Sequence, residues 1–493
     1  MPKSFIQIDN LNSGIPKDNM KGNGLAMVYG CDIYSQPGLI HSSKKSFPNT
    51  NKVSTIASPI MGFEDYYYDG ITYTLAYTAG GDIYYYRTTA PAGWVLIGTF
   101  TGGFCGYMKT FGDKLYFTTT AYLGELSGDP LTWANWNQTW NSLYMTVTVS
   151  EPSYLCEFDG DLYVANRRWI GKLYGDGSTW VDDALVLPEG SGVNMMCKWN
   201  NKLIISANTT SPISPTVQPL AENTSSVYFW DGITSSYEQK IDVPPRCNIV
   251  FNYNETLFIF VNNTIYVYNG ADFESYREIP STRISYLMEG EDPYILPNAI
   301  LNYRDNMLFG FYFSGGSTYL INGLYSFANL ADDYGYSLSI PYIVAGSSDI
   351  NIYAIFNSKR LGVLVSHANL TGSTAYNIAS ETASKLITGP LFITTPIIVG
   401  DQFGKLVQGV RLDFADTFAA DDAVNVYYRI NEQCNGYNFA NDWVLLGSII
   451  QGNYDQVLYG INKRAKTIQF RFNLESSVNV DNPGPTIRKI NIY

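Results

Sequence analysis

The chain has 493 residues, enough for two or three domains, and is 45% hydrophobic but only 15% charged, with 40 Tyr and 25 Phe. That wealth of β-formers, with no long stretch of helical periodicity carrying Lys/Glu faces, predicts an all-β protein. The formal net charge of −13 argues against a nucleic-acid grip, whose surfaces are basic, although it suits a wall past which DNA slides without sticking.

Met1-Pro2-Lys3-Ser4 leads straight into a polar, strand-like segment, so no secretory signal is expected. Residues 1–54 hold strand-like Phe5-Ile6-Gln7-Ile8, a polar Asn/Ser/Gly/Pro stretch, Gly30-Cys31-Asp32-Ile33-Tyr34 and Pro37-Gly38-Leu39-Ile40. They read as an extended N-terminal arm with a short hairpin, without a core of its own. Its destination is open: it completes the last unit of the next domain or joins the C-terminal one.

From residue 55 a phrase keeps returning: an aromatic residue, a tight Asp/Asn/Gly turn, then Leu and more apolar residues. It reads Phe111-Gly112-Asp113-Lys114-Leu115, Phe158-Asp159-Gly160-Asp161-Leu162 and Trp199-Asn200-Asn201-Lys202-Leu203. It continues as Tyr253-Asn254-Glu255-Thr256-Leu257 and Tyr303-Arg304-Asp305-Asn306-Met307. The Leu/Met position recurs at steps of 47, 41, 54 and 50 residues, a period that marks propeller blades in a strand-rich chain. The Asp/Asn/Gly pairs supply the positive φ of a tight turn, with the flanking aromatic and Leu buried between adjacent blades. Further strands are expected at 81–87, 168–174, 226–230, 264–268 and 318–325. Weaker copies at Tyr68-Asp69-Gly70-Ile71-Thr72-Tyr73 and Ser348-Asp349-Ile350-Asn351-Ile352-Tyr353 bring the expectation to a β-propeller of seven blades over 55–385, or six if one copy is not a blade. Ser127-Gly128-Asp129-Pro130-Leu131-Thr132-Trp133 approaches the Asp-box turn of sialidase-like propellers, but Leu131 stands where the box needs Gly. With its cousin Gly175-Asp176-Gly177-Ser178-Thr179-Trp180 it reads as a blade turn with a packed Trp.

Past residue 385 strand candidates crowd together at 409–414, 423–430, 443–449, 467–472 and 487–493. The half-buried alternation of Val410-Arg411-Leu412-Asp413-Phe414 predicts a C-terminal β-sandwich or jelly roll over 386–493. The apolar stretch Leu386 to Gly400 is broken by Gly389, Pro390 and Pro396, so no membrane insertion is expected.

The chemistry-bearing residues form no recognisable constellation. Of the two His, His41 lies beside Ser42 and Ser43 in the arm and His367 follows a blade strand; no G-x-S-x-G elbow accompanies either. The six Cys include no CxxC pair, and Cys105, Cys156 and Cys197, each just before a turn phrase, read as small core residues. Asp69, Asp113 and Asp159 read as turn formers rather than calcium ligands. Asp332-Asp333 and Asp421-Asp422 read as solvated loop carboxylates rather than a glycosidase pair. No catalytic, cofactor-binding or metal residue is therefore assigned, and no enzyme activity is expected. Asn-x-Ser/Thr triplets such as Asn137-Gln138-Thr139 are what so much Asn, Ser and Thr yields by chance. Tyr66-Tyr67-Tyr68, Tyr84-Tyr85-Tyr86 and Trp133/Trp136/Trp140 are the one signal for ligand binding, as platforms on which sugars would stack.

The opening Gly30-Cys31-Asp32-Ile33-Tyr34 followed by Gly38-Leu39-Ile40-His41-Ser42-Ser43-Lys44 resembles that of bacteriophage tail propeller proteins, and Gly128-Asp129-Pro130-Leu131-Thr132-Trp133 is similar to a turn in them. The order of arm, propeller and terminal sandwich ending in Ile487-Arg488-Lys489-Ile490-Asn491-Ile492-Tyr493 resembles podovirus-type tail nozzle (tail hub) proteins; Lys44-Lys45-Ser46-Phe47-Pro48 replaces their usual basic-Pro-Gly. The resemblance implies a structural virion protein, made in the host cytoplasm. It would form a homo-oligomeric ring, commonly a hexamer, below the portal and tail adaptor, beside tail fibre or tailspike proteins. Viral DNA would pass through the lumen during genome ejection without specific binding. The alternatives are a receptor- or glycan-binding virion propeller, expected to show exposed aromatic platforms, and a propeller glycosidase or lyase, expected to show convergent carboxylates in its central channel.

Overall fold

A computed structural model describes residues 6–8, 25–33, 39–43, 45–103, 105–143, 153–208, 224–245, 247–261, 264–278, 295–312, 323–331, 335–345, 350–369, 376–382, 390–394, 396–399, 404–417, 422–431, 434, 443–450, 455–476 and 484–493. The protein is all-β: a seven-bladed propeller, a C-terminal sandwich and an N-terminal arm that belongs to both.

Each of the first six blades is a four-stranded antiparallel meander. Blade one runs Ile60–Tyr68, Ile71–Thr78, Asp82–Arg87 and Gly93–Thr99; the next five occupy 108–142, 154–186, 192–243, 247–278 and 300–342. The repeated phrase is the hairpin between the first two strands of a blade. Phe111 pairs with Lys114, Phe158 with Asp161, Trp199 with Lys202, Tyr253 with Thr256 and Tyr303 with Asn306, so every turn has two residues. Such turns match the twist of the flanking strands only with positive φ, which Asp159-Gly160 (50° and 81°) and Asn200-Asn201 (45° and 57°) adopt. The Leu that follows is fully buried in the interblade core at 115, 162 and 203.

Blade seven has three strands of its own, Ile350–Ser358, Gly362–Asn369 and Tyr376–Ser380. The expected copy at Ser348–Tyr353 is displaced: Ile350–Tyr353 lies within the first strand, residues 346–349 fall outside the described residues, and the hairpin turns at 359–361. That turn lacks an Asp/Asn/Gly pair because Ser358 Oγ does the work, accepting the N–H groups of Arg360 and Leu361 at 3.2 Å each. In blade six the strand expected at 318–325 runs Leu324–Ala331, and 318–322 lie outside the described residues.

The fourth strand of blade seven comes from the arm. Ser46 and Thr382 exchange both backbone hydrogen bonds, Ser380 N donates to Pro48 O at 3.1 Å, and Thr50 N donates to Ile378 O at 2.8 Å. The same segment then reaches blade one, where Val53 N donates to Trp94 O (3.0 Å) and Trp94 Nε1 donates to Thr50 Oγ1 (2.9 Å). Phe47 is buried against Tyr342 at the end of the last strand of blade six, ring centroids 5.4 Å apart, and Lys45 pairs with Glu381. Blades seven and one also meet directly through Asp65, whose carboxylate accepts from Thr74 Oγ1, Ser358 Oγ and Lys359 N.

The sandwich has two sheets. One is ordered Ile6–Ile8, Ile487–Ile492, Lys405–Phe414, Asp455–Ala465; the other Leu25–Tyr29, Leu391–Thr394, Thr467–Glu475, Ala423–Ile430, Val444–Ile450. Asp455–Ala465 and the short strands at 391–394 and 397–398 are additional to those read from the sequence. Asp455–Ala465 hides its pattern behind Gly460 and the polar Asn462-Lys463-Arg464, where a register shift opposite Val407 and Gly409 breaks the alternation. Between the sheets lie Phe392, Phe470 and Phe472, the first and last stacked at 4.7 Å, with Leu412, Val426 and Ile490. Both possible destinations of the arm are realised: Ile6–Ile8 and Leu25–Tyr29 join the two sandwich sheets, and residues 46–50 complete the propeller. Tyr29 also pairs in parallel with Ile340 of blade six, making one continuous sheet from blade to sandwich.

Phe47→Ala should lower the stability of the whole protein by about 3–5 kcal/mol, the cost of emptying a buried aromatic site. Urea unfolding followed by far-UV circular dichroism checks this; an unchanged midpoint would deny the arm its closing role.

Candidate functional site

The first strands of the blades converge on a central cavity of about 760 Å³. Gly62, Phe63 and Glu64 come from blade one, Tyr107 to Lys109 from blade two, Tyr154 to Gly160 from blade three, Met195 and Lys198 from blade four, Ile300 and Leu301 from blade six, and Ala354 to Phe356 from blade seven. Gly62 is small by necessity: a Cβ there would stand 2.2 Å from the Tyr77 hydroxyl. That hydroxyl accepts a hydrogen bond from Asn298 Nδ2 at 2.9 Å, and the same amide donates to Met61 O at 2.7 Å, tying the segment before blade six to blade one. Tyr107 and Tyr154 meet edge to face at 4.7 Å.

The wall is mixed rather than uniformly acidic, with Glu64, Glu157 and Asp159 set among Lys109 and Lys198. Glu64 is the buried member of this group. Burial raises its pKa, against the opposing pull of Lys109 and of the Thr110 N–H that donates to Oε1 at 2.9 Å. Asp159 occupies its hairpin turn, and Glu157 is exposed. Burial likewise pushes the Cys156 thiol up to about 12 and raises the Tyr77, Tyr107 and Tyr154 phenols, so these groups stay protonated and weakly nucleophilic. The cavity can hold polar solutes, and its lining thiol, Cys156, and its phenols Tyr77, Tyr107 and Tyr154 are held protonated by burial.

The remaining candidates are dispersed. His41 is buried in the arm hairpin, where Nδ1 donates to Ser42 O at 2.9 Å. His367 is buried on the middle strand of blade seven, with Nε2 bonded to Asn49 Oδ1 at 2.7 Å. Burial first, and the Lys52 charge second, lower its pKa from 6.5 to about 4. Its neutral ring is thus part of the closure by the arm. Asp69 and Asp113 occupy exposed hairpin turns; Asp422 is buried, while Asp332, Asp333 and Asp421 lie outside the described residues. Among the described residues no three His, Cys, Asp or Glu are grouped to hold a metal ion, and the six cysteines are unbonded.

Most of the aromatic platforms are core. Tyr66, Tyr84 and Trp136 are buried, Trp133 stacks on Phe100 at 5.5 Å, Trp140 packs edge-on against Tyr116, and Tyr86 meets Trp94. Tyr67 and Tyr68 are exposed beside Ile71, at the tip of the long first hairpin of blade one.

A second repeat underlies the Asp129 and Asp176 turns and extends further than the sequence reading took it. Asp129, Asp176, Asp231 and Asn269 each begin the turn between the last two strands of blades two to five. Each accepts the backbone N–H two residues on, at 2.8–2.9 Å. The three aspartates also bind the hydroxyl of Thr132, Thr179 or Thr234. The Thr179 hydroxyl and N–H, helped by the Ser178 N–H, pull the exposed Asp176 carboxyl down to about 2. The recurring Asp-x-x-Thr spacing was the signal available for it.

No protein family matches this chain by sequence, and no curated protein does. Solved structures with a similar fold include the WD40 β-propeller domain of Doa1 (9% identity, TM-score 0.41, covering 68% of this chain and 97% of that one). The N-terminal domain of Nup159 is 10% identical, with TM-score 0.39 over 68% of this chain and 95% of that one. YCF48 from Cyanidioschyzon merolae is 9% identical, with TM-score 0.42 over 67% and 98%.

Two consequences are measurable. The unfolded imidazole protonates near pH 6.5 and the folded His367 only near 4, so the stability held by its neutral form is complete above the first value. It declines as pH falls between the two and changes no further below. Denaturation midpoints across that window should show this slope, and His367→Gln should flatten it. Glu64→Gln keeps an acceptor for the Thr110 N–H while removing a desolvated charge, so at pH 7 it should leave stability within about 0.5 kcal/mol or raise it. A clear loss in urea unfolding would mean that the ionised carboxylate is needed.

Proposed function

We propose that this protein is a structural wall subunit of a phage tail, of the nozzle or hub type, and that copies of it form a ring around the path of the ejected genome. The observation that carries the reading is the arm. It adds a strand to each sheet of the sandwich and then supplies the closing strand of the propeller, so the two domains cannot swing apart without breaking strand pairing. A part that must hold its shape while a stiff polymer passes needs this kind of coupling, whereas a hinged receptor binder does not.

Three further features support it. The cavity of the single propeller, at about 760 Å³ and lined by side chains, is far too small for duplex DNA, so a DNA path would run between subunits. The net charge of −13 disfavours non-specific adhesion to phosphates. The succession of arm, propeller and sandwich follows the layout of the tail nozzle proteins that the sequence resembles. In this reading the ring is a hexamer or another closed cyclic oligomer in the virion tail, docked to the tail adaptor and flanked by fibre or tailspike proteins.

Single-particle electron microscopy of the purified protein, alone and mixed with the tail adaptor, tests the reading. The expected result is a closed ring with a central opening wider than duplex DNA; particles that remain single copies under both conditions would overturn it.

A further inference from the structure

The two flanks of the sandwich end differently. On one flank the arm extends both sheets: Ile6–Ile8 lies outside Ile487–Ile492, and Leu25–Tyr29 lies outside Leu391–Thr394. On the other flank the last strands are Asp455–Ala465 and Val444–Ile450, consecutive in the chain, one from each sheet and each paired on one side only among the described residues.

The strand 444–450 reads Val-Leu-Leu-Gly-Ser-Ile-Ile, with neither a charge nor a proline. Val444, Leu445 and Ile450 are 49%, 55% and 65% exposed, and Tyr459 on the neighbouring edge is 56% exposed. Leu446 and Leu458 instead pack toward the core, each near a glycine of the opposite strand. A Cβ on Gly447 would stand 3.4 Å from Leu458 and one on Gly460 3.7 Å from Leu446. The two edges are thereby held close together as a double rim. Soluble proteins ordinarily blunt such edges with Lys, Pro or a covering segment. Among the described residues, the arm covers one flank, while the other leaves open the uncharged apolar strand 444–450. Beside it runs Asp455–Ala465, where Lys463 and Arg464 at the far end are exposed.

We infer that this flank is a contact surface between two copies of the chain. Charge identifies the occupant. Residues 386–493 hold ten acidic and nine basic side chains, whereas residues 1–385 hold 34 acidic and 22 basic. Like copies approaching through their propellers repel one another. Approach through the balanced sandwich, on a strand with no charge, avoids most of that repulsion. Backbone pairing along the open edge, with Leu445, Ile450 and Tyr459 removed from water, supplies the attraction. This inference rests on the assembly reading above and names the face used.

Mass photometry of the wild type, of Leu445→Lys/Ile450→Lys and of Ile233→Lys, an exposed apolar position on blade four, tests it in the presence of the tail adaptor. The double variant should raise the dissociation constant of the oligomer by about tenfold or more, while Ile233→Lys leaves it unchanged. Circular dichroism and melting confirm the fold; should the double variant unfold, Tyr459→Lys on the other sheet carries the same expectation. A ring that persists in the folded variants overturns the inference and leaves the assembly reading standing. A two-copy particle that the variants split supports the inference and overturns the ring. A wild type that stays single under these conditions overturns both.

Discussion

A circle of twisted sheets must join its last sheet to its first, and an unjoined seventh blade would expose a strand edge beside an apolar interblade core. The chain solves this with a segment far away in sequence. Residues 46–50 pair with the outer strand of blade seven, and the next few residues pair with the outer strand of blade one. The buried groups at the join make it more than a row of backbone bonds. Trp94 is fully enclosed with Phe63, Leu364 and Ile378, and Phe47 seals the adjacent seam. The neutral His367 ring sits on Asn49, where a charge would have no water to stabilise it. Packing between the other blades, and hence the cavity that they surround, depends on this closure holding.

The blades were legible because their hairpins obey local rules. A two-residue turn needs positive φ, which Asp, Asn and Gly adopt most readily (in blades five and six Glu255 and Arg304 adopt it too), and the pattern repeats with the period of a blade. The hairpin of blade seven escaped that reading because a serine hydroxyl holds the turn instead. The arm was legible as an arm but not in its destinations, since strand addition is decided by which edges remain open in three dimensions. The strand Asp455–Ala465 was missed for a related reason: its register shift lets polar residues fall on both sides of the alternation. Of the candidate residues, the buried Glu64 was invisible in sequence, where it sits in an ordinary run before three tyrosines, and only the convergence of first strands gives it a distinct environment.

Tyrosine is abundant here for structural reasons more than for recognition. Tyr66, Tyr77, Tyr84, Tyr116 and Tyr163 are all nearly fully enclosed, and several place a hydroxyl on a partner from another strand or blade: Tyr77 on Asn298, and Tyr163 on Gly232. A phenol fills the wedge between twisted sheets with its ring and satisfies a backbone group with its tip. Among the described residues, Tyr67, Tyr68, Tyr174 and Tyr459 are the tyrosines that stand exposed.

The arm has one more consequence, for the order in which the protein can be made. Its strand Ile6–Ile8 is synthesised long before the strand it pairs with, Ile487–Ile492. Residues 46–50 likewise wait for blade seven. Blades can fold one after another as they emerge, each from contacts local in sequence, but the ring must stay open until Tyr376–Ser380 has emerged and the sandwich until Ile487–Ile492 has. A chain cut short before Ile487–Ile492 would leave Ile6–Ile8 unpaired and the apolar face of Lys405–Phe414 without its neighbour. Late synthesis is therefore a condition of the fold: Ile6–Ile8 is paired only in a chain that has reached Ile487–Ile492.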